Sequence, residues 1–331
     1  MVSTRIHRLD GDLYLLRLDD DETEFFEAMW SIPEGITYNA YLLVSSNGAV
    51  LLDTWRNKYR ELFVEEVKRI VDLRDLKYLV VHHMEPDHSG ALAEVVKANP
   101  DITVIGHPLA NQIIKSFYGV SHKFVVASDG AELELSGYRF IPWVHWPETI
   151  VSYLVDKKIV FSCDAFGAYS RPSKVYYDEL DASKREEYKW YMKKYLANIV
   201  GHYMEWVSKA LDKLERLGLD IELITPSHGV LWKNPGEVLR LYRGWSKGLS
   251  SGKVVIVYSS MYGFVEEAVK EVAKALDKEG ISYSIHGFTS RGYAKLSDVV
   301  GDLLDASALV VATATYEAGV FPYMRFVVEL I

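Results

Sequence analysis

Hydrophobic and polar residues alternate over the first 55 residues in the manner of antiparallel β-strands. Two apolar runs, 41–45 and 49–53, are joined by Asn47-Gly48. This dipeptide favours the positive φ angles of a tight hairpin turn, because glycine has no Cβ and asparagine tolerates a left-handed backbone. The pattern therefore predicts a β-hairpin near the start of the chain.

Apolar residues recur with helical spacing after this hairpin, over residues 57–71. A short apolar strand follows at 78–81. Residues 184–217 form a long helical stretch that breaks near Gly201. Strand-like and helix-like segments alternate up to about residue 224. This alternation predicts a fold of mixed α/β class.

Residues 248–252 are small, mostly polar and typical of a linker. The pattern of apolar runs changes after them. The strand-like and helix-like runs that follow are, in order, 254–258, 266–277, 282–288, 295–304 and 308–312. Such a βαβαβ pattern predicts a parallel sheet covered on both faces. We therefore expect two domains, residues 1–248 and 253–331.

Composition narrows the possible partners and the compartment. The 331 residues carry a net charge of −9, so nucleic acid and anionic membranes, which attract basic surfaces, are not expected partners. No apolar run approaches the ~20 residues of a membrane span, and residues 1–10 lack the apolar core of a signal peptide. Cys163 is the single cysteine, which excludes an intrachain disulfide and a cysteine-based metal cage. We expect a cytoplasmic protein in which His, Asp and Glu hold any metal.

Ionisable residues of metal-ligand type collect at the ends of predicted strands. The segment 83–88 follows the strand 78–81 and contains four of them. Three further strands, predicted at 138–144, 158–162 and 221–225, each end close to another. The seven candidates are His83, Glu85, Asp87, His88, His145, Asp164 and His228. Loops at one end of a sheet can converge, so we expect these side chains to meet.

Four imidazoles and three carboxylates exceed the needs of one tetrahedral ion and suit two ions that share a bridging carboxylate. A donor set without thiolate fits non-haem iron, manganese or zinc. Taken singly, each residue has a structural alternative, since an Asp-His pair is often a helix cap beside a core histidine. The combination of a dense cluster with three strand-end partners favours the metal site.

Four segments resemble the flavodiiron proteins, also called A-type flavoproteins. They are His83-Met84-Glu85-Pro86-Asp87-His88, His145-Trp146-Pro147-Glu148-Thr149, Phe161-Ser162-Cys163-Asp164-Ala165-Phe166-Gly167 and Pro226-Ser227-His228-Gly229. The resemblance implies a metallo-β-lactamase-like αββα sandwich followed by a partial flavodoxin-like parallel sheet. The ligand sets that it implies are His83, Glu85 and His145 for one iron, Asp87, His88 and His228 for a second, and Asp164 as the bridge.

Several residues near these segments receive no ligand role. Phe25-Phe26 align with a segment in which many members carry a histidine, and neither side chain can donate a hydrogen bond. Tyr195 matches a tyrosine that lies near the irons in the family, with an ordinary core position as the alternative. We expect Asp53 to support a ligand or a turn rather than bind metal, and His82 to point away from the cluster.

Two loops of residues 253–331 resemble the FMN-binding loops of the family, where backbone N–H groups and a helix dipole can face a phosphate. Their residues are Ser260, Met261, Tyr262, Gly263, Phe264 and Val265 in the first loop and Thr313, Ala314, Thr315, Tyr316 and Gly319 in the second. Val265 stands where a phosphate-binding threonine is usual. Only three of the five strands of a flavodoxin-like sheet are present, so we expect an open apolar edge and weak FMN binding by this chain alone.

The resemblance implies an enzyme that reduces dioxygen to water, nitric oxide to nitrous oxide, or both. In the family, FMN passes electrons from rubredoxin or a similar donor to the two iron ions. A head-to-tail homodimer, or a dimer of such dimers, sets one subunit's flavin beside the other's irons. Two alternatives stay open: a zinc-dependent hydrolase of the metallo-β-lactamase superfamily, whose members have His where Glu85 stands, and an electron carrier that uses only the C-terminal segment.

Overall fold

The computed structural model describes residues 2–46, 48–128, 132–133, 138–142 and 145–331. The strands, in chain order, are β1 (Ser3–Asp10), β2 (Leu13–Asp20), β3 (Phe25–Phe26), β4 (Trp30–Ser31), β5 (Ile36–Ser45), β6 (Gly48–Leu52), β7 (Leu76–Val81), β8 (Thr103–Gly106), β9 (Lys123–Val126), β10 (Glu132–Leu133), β11 (Tyr138–Pro142), β12 (Ile150–Leu154), β13 (Ile159–Cys163), β14 (Leu223–Pro226), β15 (Val254–Ser260), β16 (Tyr283–Thr289), β17 (Gly292–Tyr293), β18 (Ala308–Ala312), β19 (Thr315–Tyr316) and β20 (Gly319–Val320). The α-helices are α1 (Arg60–Lys68), α2 (Pro86–Ser89), α3 (Leu92–Ala98), α4 (Pro108–Tyr118), α5 (Ala182–Val200), α6 (Met204–Leu217), α7 (Pro235–Ser246), α8 (Phe264–Lys278), α9 (Leu296–Leu303) and α10 (Pro322–Leu330).

The first sheet has seven strands in the order β1-β2-β5-β6-β7-β8-β9. Its first four strands pair antiparallel, and β6 to β9 pair parallel. The predicted hairpin is confirmed, since β5 and β6 pair in register from Tyr41 with Leu52 to Ser45 with Gly48. Asn47, in its turn, lies outside the described residues.

The second sheet has five strands in the order β10-β11-β12-β13-β14, antiparallel except for the parallel pair β13–β14. The strand predicted at 138–144 is observed as β11, and Trp143 and Val144 lie outside the described residues. Alternate residues of β2 point to opposite faces of the first sheet and belong to two different hydrophobic cores. Leu15 packs with Phe161 between the sheets, whereas Leu16 packs toward the helices. The layers are those of the predicted αββα sandwich.

The long helical stretch is confirmed as α5 and α6, separated by a single 3₁₀ turn at Gly201–Tyr203. Helix α5 begins where the Asp181 carboxylate accepts the backbone N–H of Lys184, an N-cap of the usual kind. The helix carries a nearly continuous run of buried residues from Met192 to Ala197. It therefore lies between other parts of the molecule rather than on an open surface.

The C-terminal sheet has the order β17-β16-β15-β18, in which β15, β16 and β18 are parallel. The strands predicted at 254–258, 282–288 and 308–312 are thus confirmed, in the spatial order second, first, third. The expected open edge is observed at β18, where Leu309 and Val311 are exposed. Among the described residues, no helix has the length and apolarity to cross a membrane.

Candidate metal centre

The seven predicted ligand residues come together at one end of the two sheets. These residues lie in four loops, each of which follows a strand, as the sequence predicts. Two groups of atoms result, each within 4.8 Å of one another: His83, Glu85, His145 and Asp164 in the first, and Asp87, His88 and His228 in the second. All seven side chains are at most 15% exposed.

In the first group, Glu85 Oε2 lies 3.2 Å from His83 Nε2 and 3.6 Å from His145 Nε2. Asp164 Oδ2 lies 3.8 Å from His83 Nε2 and 3.7 Å from His145 Nε2. Donor atoms bound to one ion at about 2.1 Å lie about 3.0–3.4 Å apart, so a small contraction would let the four atoms share one ion.

In the second group, Asp164 turns its other oxygen toward two imidazoles. Oδ1 lies 2.9 Å from His88 Nε2 and 3.3 Å from His228 Nε2. Asp87 brings its Oδ1 to 3.3 Å from His88 Nε2 and its Oδ2 to 3.4 Å from His228 Nε2. Each Asp164 oxygen thus faces a different group, which is the arrangement that a bridging carboxylate requires.

The donor atoms themselves support a metal site. Within the described part of the chain, both Asp87 oxygens, both His145 ring nitrogens and His228 Nε2 are buried without a hydrogen-bond partner. Buried polar atoms in native proteins are nearly always paired, because an unpaired one loses its hydration without compensation. Four of these atoms, all except His145 Nδ1, face the two groups of candidate ligands. Unpaired nitrogen and oxygen donors of this kind fit non-haem iron, manganese or zinc.

The carboxylates of the site raise the proton affinity of its imidazoles. Burial alone would lower the pKa of His83, but the Glu148 and Glu85 carboxylates raise it to about 9. Burial is likewise overcome at His88, whose pKa the charges of Asp164 and Asp87 raise to about 9. Metal ions must therefore displace protons from these nitrogens.

Glu148 orients His83 and was not predicted. Its buried Oε1 accepts hydrogen bonds from His83 Nδ1 at 2.7 Å and from the backbone N–H of Met84 at 3.0 Å. The bond fixes the tautomer that leaves His83 Nε2 free for a metal. An acidic residue three positions after His145, in the same loop, is the sequence signal that could have identified it.

The backbone of β5 orients His228. The carbonyl oxygen of Thr37 accepts a hydrogen bond from His228 Nδ1 at 2.6 Å, and Thr37 Oγ1 accepts one from Gly229 N–H. Gly229 has φ +82°, and a Cβ there would lie 2.1 Å from the Tyr188 hydroxyl. Only glycine fits this turn. No side-chain pattern could reveal the role of Thr37, because a carbonyl group performs it.

Tyr195 lies at the site rather than in an ordinary core position. Its hydroxyl donates a hydrogen bond to Asp164 Oδ1 at 2.6 Å. Burial and the Asp164 charge hold the pKa of Tyr195 well above its usual range, so the hydroxyl remains a donor. Asp164 follows Cys163, whose left-handed backbone (φ 51°) ends β13 sharply and turns the carboxylate inward.

His82 points away from the seven ligands, as expected. Its Nδ1 lies 2.8 Å from Asp53 Oδ2 and its Nε2 lies 2.7 Å from Ser152 Oγ. Asp53 Oδ1 also accepts the backbone N–H of His82. Asp53 therefore joins the end of β7 to the end of β6 and holds His82 away from the site.

A cavity of about 210 Å³ opens onto the second group beside Asp87. Phe26, Glu27 and Arg56 line it together with Glu85. The Phe26 ring packs edge-on against the His228 ring at 5.9 Å, so the segment that lacks a histidine supplies an apolar wall. Glu27, whose Oε2 accepts the Trp30 indole N–H, adds an acidic group that was not predicted.

The two predicted FMN loops lie side by side. Ser259 Oγ is 3.0 Å from Thr313 Oγ1 and accepts the backbone N–H of Ala314. Gly263, at φ +95°, directly precedes α8, and its backbone N–H donates to Ser260 Oγ. The other loop folds into the short pair of β19 and β20. The remaining predicted residues belong to the same loops, with Tyr262 and Phe264 largely exposed.

Comparison with known proteins identifies relatives along most of the chain. Residues 36–229 match the family described as ODP family beta lactamase. The nitric oxide reductase of Moorella thermoacetica is 30% identical over 319 residues, which are 95% of this chain and 78% of the relative. The rubredoxin-oxygen oxidoreductase of Megalodesulfovibrio gigas is 28% identical over 340 residues, which cover all of this chain and 82% of the relative.

A solved structure also resembles this chain along its whole length. A flavo di-iron protein variant from Thermotoga maritima superimposes with a TM-score of 0.94 at 36% identity, covering 100% of this chain and 84% of the other.

Proposed function

Since this chain belongs to the flavodiiron protein family, we propose that it is a di-iron oxidoreductase that reduces dioxygen to water, nitric oxide to nitrous oxide, or both. The observation that carries the proposal is the position of Asp164, whose two oxygens face two separate groups of ligand atoms. Two relatives, a nitric oxide reductase and a rubredoxin-oxygen oxidoreductase, support the same reaction class.

We assign His83, Glu85 and His145 to one iron, Asp87, His88 and His228 to the other, and Asp164 to both. When bound, the two irons would supply electrons to the gas and FMN would supply the route from the donor. The protein holds the ligands in place: Glu148 orients His83 and Thr37 orients His228. The Tyr195 hydroxyl donates a hydrogen bond to Asp164 Oδ1. The rings of Phe26 and Trp146 pack on His228 and His83 and give the site apolar walls.

Reconstitution of the apo-protein with ferrous iron under anaerobic conditions tests the proposal. We expect two irons per chain, and consumption of O2 or NO when a reductant and each gas are supplied in turn. Substitution of the bridge, Asp164→Asn, should abolish gas consumption. A wild-type protein that binds zinc in preference, hydrolyses esters and consumes neither gas would favour the hydrolase alternative, against which the Glu85 carboxylate argues.

We propose that residues 1–248 form the metal-binding domain and residues 253–331 a partial flavodoxin-like domain that contacts FMN. The adjacency of the loops around Ser260 and Thr313 supports this assignment. The open edge of β18 supports weak binding by this chain alone. Titration with FMN, followed by flavin fluorescence, should show incomplete quenching at stoichiometric FMN, whereas tight stoichiometric binding would contradict it.

We infer that rubredoxin or a similar small protein delivers the electrons, and that a head-to-tail homodimer, alone or paired into a dimer of dimers, brings one flavin loop near the partner subunit's irons. A cytoplasmic location without nucleic-acid or membrane partners fits the net charge of −9. Reduction of the metal centre by added rubredoxin, compared with a flavin-free control, measures the donor step. Analytical ultracentrifugation measures the oligomeric state.

A further inference from the structure

We propose that Lys194 is a positioning residue for the metal centre: its ammonium group joins α9 and the β4–β5 loop to α5, so that the next residue, Tyr195, keeps its hydroxyl on Asp164. The inference rests on the proposed function, because it treats Asp164 as a metal ligand. Because α9 packs against the C-terminal sheet, Lys194 connects that sheet to the proposed bridging carboxylate.

Lys194 is a buried lysine with two partners from separate parts of the chain. Its side chain is 1% exposed, and its Nζ lies 2.8 Å from Glu34 Oε1 and 2.7 Å from Asp298 Oδ1. Glu34 is also buried, whereas Asp298, in the first turn of α9, is 32% exposed. Lysine is seldom buried unless it is paired, so this side chain holds three elements at fixed separations.

Contacts lead from Lys194 to the metal ligands along two routes. On the first, Nζ lies 5.9 Å from the ring centre of Tyr169, and the Tyr169 ring packs edge-on against Tyr195 at 4.9 Å. Tyr195 in turn donates to Asp164 at 2.6 Å.

The second route runs through Glu34. Three residues after it, in β5, the Thr37 carbonyl accepts the hydrogen bond that orients His228. Lys194 therefore contacts neighbours of both supports: Tyr169, which packs on Tyr195, and Glu34, which lies three residues before Thr37.

Close packing of α5 on α9 makes the connection stiff. Gly301 of α9 faces Lys194, and a Cβ there would lie 3.1 Å from the Lys194 Cα. Ser297 Oγ donates to the Ser31 carbonyl oxygen at 2.7 Å, and Asn198 Nδ2 donates to the Ser297 carbonyl oxygen at 3.2 Å. A displacement of α9 would thus be transmitted to α5 rather than absorbed by a loose contact.

The chain offers a matched control in the preceding residue. Lys193 Nζ lies 2.7 Å from Asp305 Oδ1, so it also joins α5 to the segment after α9. Both side chains of this pair are mostly buried, but Lys193 packs over the Trp190 ring instead of the tyrosines at the site. Loss of the Lys193 ammonium group should weaken the packing of α5 against the segment after α9 without displacing the Tyr195 hydroxyl.

Cobalt(II) binding to the apo-protein, followed by visible absorption, tests the inference without requiring turnover. We expect Lys194→Met to weaken Co2+ binding about tenfold, the lower end of the effect of losing an outer support of a ligand, and Lys194→Arg to restore it at least in part. Lys193→Met should lower the unfolding temperature and leave Co2+ affinity unchanged. Equal affinity changes in the two Met variants, or none in Lys194→Met, would overturn the inference.

If Lys194→Met does not fold, the partly exposed Asp298 provides the second test. Asp298→Asn should weaken Co2+ binding and Asp305→Asn should not; the same affinity in both would overturn the inference. Gas consumption by the iron-loaded wild type is measured separately. A wild type that binds two metals but reduces neither gas contradicts the proposed function and leaves the cobalt comparison valid.

Discussion

Replacement of Glu148 by glutamine removes one charge behind the proposed ligand His83 and little else. The Glu148 carboxylate is buried and accepts hydrogen bonds from His83 Nδ1 at 2.7 Å and Met84 N–H at 3.0 Å. Burial alone would raise the pKa of Glu148, but the hydrogen bond from His83 holds it below its usual value. The group is therefore a carboxylate at neutral pH, and Glu148→Gln replaces it with a neutral acceptor of the same shape.

The two hydrogen bonds to Glu148 allow the expected loss of metal affinity to be calculated from typical hydrogen-bond energies. A hydrogen bond to a charged group contributes about 1.5–3 kcal/mol, and a neutral one about 0.5–1.5 kcal/mol. The difference of about 1–1.5 kcal/mol corresponds to about a tenfold loss of affinity for the ion held by His83, Glu85 and His145. Glu148→Ala removes the acceptor as well and should approach the about 100-fold loss typical of deleting such a partner.

Stepwise Co2+ titration of the apo-protein measures both affinities. We expect Glu148→Gln to weaken one of the two binding steps and leave the other unchanged. Asp53→Asn is the matched control, because Asp53 supports the neighbouring His82 in the same way, and His82 faces away from the ligands. That control should lower the unfolding temperature without selective loss of one step. Equal weakening of both steps in both variants would refute the assigned role of Glu148.

Four further predictions concern the site and its supports. Tyr195→Phe should retain two irons but lose about tenfold in turnover, because Asp164 loses a hydrogen-bond donor, and undiminished gas consumption would contradict this. Metal binding at pH 7.5 should release about three protons, measurable by calorimetry in buffers of different ionisation enthalpy; release of none would contradict the assignment. The carboxylates of the site overcome burial and raise the imidazole pKa values to about 9 for His83, about 9 for His88 and about 10 for His228. Since these values exceed the ordinary one near 6.5, the protonated site stabilises the metal-free fold below about pH 6.5, and this stabilisation is lost as pH rises through about 9–10. Gly229→Ala should cost about 1–3 kcal/mol of stability through collision with Tyr188, whereas Gly236→Ala, whose Cβ would meet its nearest atom at an ordinary 3.5 Å, should cost less in denaturant unfolding.

Much of the fold could be predicted because hydrophobic period and turn chemistry agree along the chain. The strands of residues 254–312 and the break at Gly201 are local features, so the sequence reveals them. The convergence of the seven candidate side chains was also predictable, because they follow apolar strands whose ends meet at one edge. Whether all seven bind metal remains a prediction.

The supports of the ligands were harder to predict, because they depend on contacts between distant parts of the chain. Glu148 meets His83 across 65 residues, and the Thr37 carbonyl meets His228 across 191 residues. Glu27 and Lys194 have no local pattern that separates them from surface charges. Their roles depend on burial, which only the packed structure determines.

Anomalous diffraction at the iron edge, from crystals of the iron-loaded chain, tests the central claim most directly. The account predicts two peaks, one bounded by the His83, Glu85 and His145 donor atoms and the other by those of Asp87, His88 and His228. Both peaks should lie within about 2.3 Å of an oxygen of Asp164. A single peak, or two peaks of which either lies away from Asp164, would contradict it.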